Sequence, residues 1–160
     1  AHDLATLPTA PTYRVRSFRL RYRSEVLAVD ERAFQQFWQL DSAGLDEAFG
    51  ATPRARGRLV RDHHSVIAYS VVGLSGSEAF IQRLAVDPDH QGVGLGRALT
   101  VDGLAWAKSH MAGVAFVNTQ RSNSAALELY DKLGFQRRSR PLTVMGLWLD
   151  DRPDDAAAGR

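Results

Sequence analysis

The chain has 160 residues, with 20 basic and 18 acidic side chains and a formal net charge of +2. It contains no cysteine, which excludes disulfides, thiolate nucleophiles, zinc–thiolate centres and iron–sulfur clusters, and it suits a reducing cytoplasmic setting. No apolar run is long enough to span a bilayer and no signal-peptide pattern opens the chain, so neither a membrane nor, at this charge balance, a nucleic-acid partner is expected.

The length fits one domain, which should bury roughly 70% of its unfolded surface. The start at Ala1, without Met, reads as a processed or trimmed chain. Residues 1–12, with two of the six prolines, read as a flexible arm; 13–149 read as the domain, and 150–160 as a disordered tail. Between these ends helix and strand signals alternate. Residues 16–23 (RSFRLRYR) set Phe18, Leu20 and Tyr22 against Arg19, Arg21 and Arg23, the period of a strand with one basic face. Residues 26–38 place Val26, Val29, Ala33, Phe34 and Phe37 at helical spacing. A short helix follows over 41–50, with Ser42 as its candidate cap and Gly50 as its stop. Strands are predicted at 56–62 and 65–73 about a turn at His63 and His64, and at 78–86 after a turn at 75–77. A helix over 95–111, a strand over 114–119, a helix over 123–133 and strands near 135–140 and 142–149 complete the chain. This order implies an α/β (α+β) domain: a mixed sheet of about seven strands with helices on both faces.

Residues 87–99 (DPDHQGVGLGRAL) hold three glycines in five positions between a strand and a helix. A Walker A loop would end in Gly-Lys-Ser/Thr, whereas this one ends Gly96-Arg97-Ala98. In a dinucleotide fingerprint a glycine would stand where Arg97 does, and the motif would follow the first strand rather than the fourth. Two readings remain open on spacing alone. Glycines can bare the first N–H groups of a helix for a pyrophosphate, or they can make a turn with no ligand.

Gln91-x-x-Gly94-x-Gly96 resembles the acyl-CoA signature of the GNAT superfamily of N-acetyltransferases, Gln/Arg-x-x-Gly-x-Gly/Ala. Downstream, 123–135 (NSAALELYDKLGF) is similar position by position to the second signature of that family, N-x-x-A-x-x-x-Y-x-x-x-G-F. Both motifs stand nearest to those of the bacterial ribosomal-protein alanine N-acetyltransferases. The resemblance implies the GNAT fold, with a mixed, mostly antiparallel sheet and a V-shaped splay between strands 4 and 5. It implies acetyl-CoA as cosubstrate, no metal, and an acyl group moved directly to a primary amine on a protein N-terminus or small molecule. A thiol-sugar or aminoglycoside-like amine is among the acceptors it admits, and the chain would be a monomer or homodimer. It also implies roles. The main chain of Leu84, Ala85 and Val86 would meet the pantetheine arm, and Gln91, Gly92, Val93, Gly94, Leu95, Gly96 and Arg97 would hold the pyrophosphate. Asn123 would touch the cofactor as well as cap a helix, and Tyr130 would protonate the departing thiolate or pack in the core.

Asn118 stands where the ribosomal-protein enzymes carry a glutamate base, five residues before the motif asparagine. An amide cannot take a proton, but it can orient water or substrate. Two rivals therefore stay open, a catalytically silent acyl-CoA-binding module and a nucleotide-binding domain. Other base candidates are Asp30, Glu31, Glu47, Glu78 and the His63–His64 pair, each with a plain surface reading. Arg83, a charge inside an apolar strand, reads either as an ion pair or as a carboxylate receptor, and Gln82 and Gln120 are candidates for the same cleft. Asp41, Asp46 and Glu47 form an acidic patch that would attract a cationic amine or face solvent as part of a helix.

Overall fold

The computed structural model describes residues 13–137. The arm at 1–12, the tail at 150–160 and the strand expected at 142–149 lie outside the described residues, as does 138–140 of the strand expected at 135–140; residues 135–137 are not in a strand.

Among the described residues, five strands form one sheet in the order β1 (Arg16–Ser17), β2 (Arg54–Arg61), β3 (Val66–Ser75), β4 (Glu78–Val86), β5 (Val114–Val117). The first three junctions are antiparallel and the last is parallel. A parallel pair needs a crossover, and helix α3 (Leu95–Ser109) supplies it between β4 and β5. Helices α1 (Arg23–Ala33) and α2 (Ser42–Gly50) precede β2, and α4 (Ser124–Lys132) follows β5.

The central strand explains its own composition. Val66 to Leu74 are all buried, a continuous run rather than an alternation, because both faces of β3 are covered. On one face Val66, Tyr69 and Val71 pack with Val26 and Val29 of α1 and Leu45 of α2. On the other, Ile67 and Ala68 pack with Leu95 and Leu99 of α3. Farther along, Leu74 and Ala79 meet Ala107 near the end of α3.

Three local expectations change. The strand expected over 16–23 is only Arg16–Ser17; Leu20–Tyr22 form a 3-10 turn that leads into α1. Alternation makes a strand only where one face is buried, and Leu20 is 77% exposed. Arg23 instead opens α1, held by Ser42 Oγ at 2.9 Å and Asp46 Oδ1 at 2.8 Å. The helix expected to reach Trp38 ends at Ala33, where Phe34 is extended (φ −125°, ψ 151°), and Phe37 is 70% exposed rather than core. The cap of α2 is Asp41, which accepts from Gly44 N at 2.8 Å, not Ser42.

One irregularity positions everything that follows. Arg83 pairs with Val71 and Ile81 with Val72, so Gln82 is an extra residue, a bulge in β4. The β4–β5 register ends at Ile81–Val117, while β4 continues to Val86. Beyond the bulge, β4 has no β5 partner: the two strands part, and the splay expected between strands 4 and 5 is there.

Candidate active site

The parted stretch of β4 gives its backbone and its side chains separate tasks. Leu84 and Val86 pack toward α3, and Ala85 packs toward α1. Their peptide groups pair with β3 through Ala68, Tyr69 and Ser70 on one edge, and the opposite edge faces the splay. An extended ligand backbone can add there as a strand would.

The glycine segment sits at the end of this edge. Asp87 and a 3-10 turn at Pro88–His90 lead into it, and Gln91 Nε2 reaches back to the Val86 carbonyl at 3.3 Å. The glycines serve two ends. Gly92 (φ +78°) and Gly94 (φ +90°) lie in the left-handed region that side chains disfavour. At Gly96 a Cβ would stand 3.3 Å from Leu129 Cδ2, so its bareness lets α4 approach the start of α3. Gly94 is the N-cap of α3 and has no side chain to close the turn. Ala98 N donates to Gly94 O at 2.9 Å, so the N–H groups of Leu95, Gly96 and Arg97 precede the first intrahelical bond. The Leu95 side chain is core, leaving its N–H as the group it can offer. Val93 is exposed, whereas Arg97 is partly buried and engaged within the fold. Uncapped N–H groups at the positive end of a fifteen-residue helix suit a phosphate.

Across the splay, Asn123 caps α4: its Oδ1 accepts from Ala126 N at 3.1 Å. Tyr130 is 7% exposed and meets the Phe135 ring edge-on at 5.4 Å between centroids. Burial pushes its phenol up to about 12, so it is a proton donor throughout the neutral range. Asn118 is exposed and lies one residue past the end of β5. Gln120 is half-buried and its carbonyl accepts from Asn123 N at 3.1 Å.

Arg83 and Asp30 find each other. Arg83 Nε and Nη2 donate to the two carboxylate oxygens of Asp30 at 2.7 and 2.6 Å, Nη2 also reaches the Trp38 carbonyl at 2.6 Å, and the guanidinium lies 3.6 Å from the Phe34 ring centre. Asp30 is fully buried and further accepts from Leu40 N at 2.7 Å and from the Tyr69 hydroxyl. This is the ion-pair reading of Arg83: its fork is taken by Asp30 rather than open to a substrate carboxylate, and Asp30 has no free lone pair facing a cleft. Burial, then the adjacent Asp30 charge, raise the Tyr69 phenol far above its ordinary value.

The remaining base candidates scatter. Glu78 opens β4, eight residues and so about 26 Å along the strand from Val86. Glu31 and Glu47 are exposed, and His63 and His64 lie exposed in the β2–β3 turn. Asp41 caps α2 and Asp46 pairs with Arg23 at 2.7 Å, so the acidic patch is largely engaged in structure.

Sequence reasoning missed Asp87. It is nearly buried, pairs with Arg32 at 2.6 Å, and caps the turn before the glycines through Asp89 N at 3.0 Å. Burial works against its charge, yet Arg32, Asp89 N and His90 hold the carboxyl below its usual range. The Asp-Pro dipeptide before a helix was the available signal.

Known proteins match the same geometry. The sequence model of the Acetyltransferase (GNAT) family matches residues 20–135. Mycothiol acetyltransferase of Thermobispora bispora is 32% identical over 137 residues, covering 78% of this chain and 46% of that protein. The enzyme of the same name from Mycobacterium avium is 30% identical over 156 residues, covering 81% and 48%. The chain thus spans about half the length of these curated relatives. Among solved structures, the ribosomal-protein-S18-alanine N-acetyltransferase of Escherichia coli superposes with a TM-score of 0.71 at 23% identity, over 80% of each chain. PaiA N-acetyltransferase of Thermoplasma acidophilum, solved with coenzyme A, gives 0.69 at 12% identity over 81% and 92%. The parted strands, the uncapped glycine turn and the match across 20–135 lead to one conclusion: this chain belongs to the GNAT family of acetyltransferases.

Proposed function

We propose that this chain binds acetyl-CoA in the β4–β5 splay and transfers the acetyl group to a primary amine by direct attack. The observation that carries the reading is the β4 edge beyond the Gln82 bulge ending at the uncapped start of α3. The pantetheine arm would lie along Leu84–Val86, and the pyrophosphate would meet the N–H groups from Gly92 to Arg97. Asn123, whose amide nitrogen is left over after capping, would be a further contact.

In the reaction the amine lone pair attacks the thioester carbonyl carbon. A main-chain N–H of Leu84–Val86 would stabilise the oxyanion. The tetrahedral intermediate collapses with cleavage of the C–S bond, and the thiolate takes the Tyr130 proton. The ammonium proton leaves through water held by Asn118, since an amide orients water but accepts no proton. Without a carboxylate base at 118, the acceptor should bring its own neutral nitrogen. An α-amine of pKa near 8 is about a tenth neutral at pH 7, against about one part in 2,500 for a lysine near 10.4. Protein N-termini and small amines are therefore favoured over internal lysines. The similarity to relatives named mycothiol acetyltransferases supports a thiol-sugar amine as the first small acceptor to test.

Calorimetry with acetyl-CoA followed by an acceptor panel tests this: an amino-terminal peptide, a thiol-sugar amine, an aminoglycoside and an internal-lysine peptide. Binding with turnover on a low-pKa amine is expected. Binding without turnover on any amine would favour the silent module, which the Asn118 position admits. No binding at all would overturn the reading.

A further inference from the structure

At the opposite side of the sheet from the splay, β1 is the outer strand among the described residues. Beside it lies a cavity of about 450 Å³ lined chiefly by Arg14, Arg16, Arg19, Arg21, Arg58 and Tyr22. Among the described residues it has no acidic lining residue. Four arginines fall within residues 14–21, with no acidic residue among them, and the rest of the chain carries sixteen basic and eighteen acidic side chains. Positive charge is thus concentrated at one sheet edge of a chain that is elsewhere net negative.

These arginines are not equivalent. Arg58 is matched by Asp102 through two contacts, at 3.0 and 2.9 Å, and Arg21 donates to the Tyr22 hydroxyl at 3.0 Å. The Arg21 hydrogen bond leads the effects that lower the Tyr22 phenol, a sign of the local positive potential. The side chains of Arg14, Arg16 and Arg19 make no hydrogen bond or ion pair among the described residues, and Arg14, Arg16 and Arg19 are exposed. Holding three unmatched like charges together lowers stability, so such an arrangement is expected where an anion meets it.

We propose that this groove docks an extended acidic peptide segment of a partner protein, laid along β1 as an added strand with its carboxylates against Arg14, Arg16 and Arg19. Two independent features favour this occupant. Among the described residues β1 pairs with β2 on one side only, so its outer edge has backbone groups to offer an extended chain. The cavity has the volume of a few peptide residues, whereas a nucleic acid would extend past it onto a chain whose remaining residues are net negative. Arginine forks suit carboxylates in bidentate geometry. The docking surface is separate from the splay and stands whether or not acetyl transfer is confirmed.

The test uses the full 160-residue chain and a fluorescein-labelled octapeptide of alternating Glu and Val, read by anisotropy in 50 mM salt. Binding is expected, with a loss of about tenfold or more in the Arg14→Ala, Arg16→Ala, Arg19→Ala triple variant and a steep fall as salt is raised. N-methylating alternate peptide nitrogens should weaken it in one of the two phases. Far-ultraviolet circular dichroism checks the fold, and Arg16→Glu alone repeats the measurement with a single change. Equal binding of a Gln-Val peptide, equal or tighter binding of an octathymidylate, absence of peptide binding, or unchanged affinity in both folded variants would each overturn the proposal.

Discussion

Replacing Asp30 by asparagine perturbs the molecule where its polar interior is most connected. The Asp30 carboxylate accepts from Arg83 Nε and Nη2, from Leu40 N and from the Tyr69 hydroxyl, so all its neighbours are donors. Asparagine has one acceptor oxygen and would turn an NH2 against a donor. It would also leave the Arg83 guanidinium, 14% exposed at its side chain, without its counter-charge. Breaking one partner of a buried pair costs about 3–5 kcal/mol. For a domain of this size that is roughly 6–20 °C in Tm. The network ties α1 to β4 and, through Leu40 and Trp38, holds the connection between α1 and α2, so the loss should be global rather than confined to a loop.

Urea unfolding of Asp30→Asn, Arg83→Met, Asp30→Leu and the Asp30→Leu/Arg83→Met pair measures this. An apolar pair removes both charges together, so the double variant should be less destabilised than the sum of its two singles, with a coupling of about 1–3 kcal/mol. Its remaining deficit comes from Leu40 N, the Trp38 carbonyl and the Tyr69 hydroxyl, each left short of a partner at about 1–3 kcal/mol. A loss below about 1 kcal/mol for Asp30→Asn, or strictly additive singles, would refute the reasoning.

Four further outcomes follow from the geometry. Gly94→Ala places a side chain at φ +90°, a strain of about 1–2 kcal/mol, and should weaken acetyl-CoA binding in calorimetry more than it lowers Tm; unaltered affinity would count against the helix-start phosphate site. Tyr130→Phe should lower kcat by about a hundredfold or more with little change in KM for acetyl-CoA; an unchanged kcat would leave Tyr130 as a core aromatic. Tyr130 also makes the fold sensitive to alkali: its pKa is about 12 in the native state against about 10 unfolded. The unfolded chain loses its proton first, so this contribution, about 2–3 kcal/mol, is complete below pH 10 and lost by pH 12; a fold whose alkaline melting is the same in Tyr130→Phe contradicts it. Asp87 has the opposite sign, because its native carboxyl titrates below its ordinary value: its contribution is present above about pH 4 and lost as acid protonates it, and Arg32→Ala should shrink that acid dependence in pH-resolved melting curves.

The cofactor half of the site is legible because it is local. The turn, its glycines, the following helix and the Asn123 cap each depend on residues within a few positions of one another, so spacing predicts these elements, and the family resemblance supplies the role they are expected to play. Arg83 shows the limit of such reading. From β4 the sequence offers a charge in an apolar strand, and only the fold brings Asp30 to it from 53 positions away. The register slip at Gln82 is equally hidden, since a bulge is a relation between two strands and leaves no period of its own. Phe18 to Tyr22 mislead for the converse reason: they keep a strand's alternation, but Phe18 and Tyr22 pack on the core while Leu20 is left to solvent in a 3-10 turn. The acceptor half rests on such long-range relations. Of the carboxylates that sequence offered as bases, Asp30 is buried in a pair, Glu78 stands at the far end of β4, and Glu31 and Glu47 are exposed on helices, while the amide of Asn118 stands just past the end of β5. Under the proposed mechanism, an amide there leaves the amine's own pKa as the variable that sets the rate. The transfer rate should therefore rise with pH up to the pKa of whichever acceptor is used, shifting with the acceptor and not with the enzyme. A rate profile fixed near pH 6–7 across amines of different pKa would instead demand a titrating base on the protein and refute the proposed mechanism.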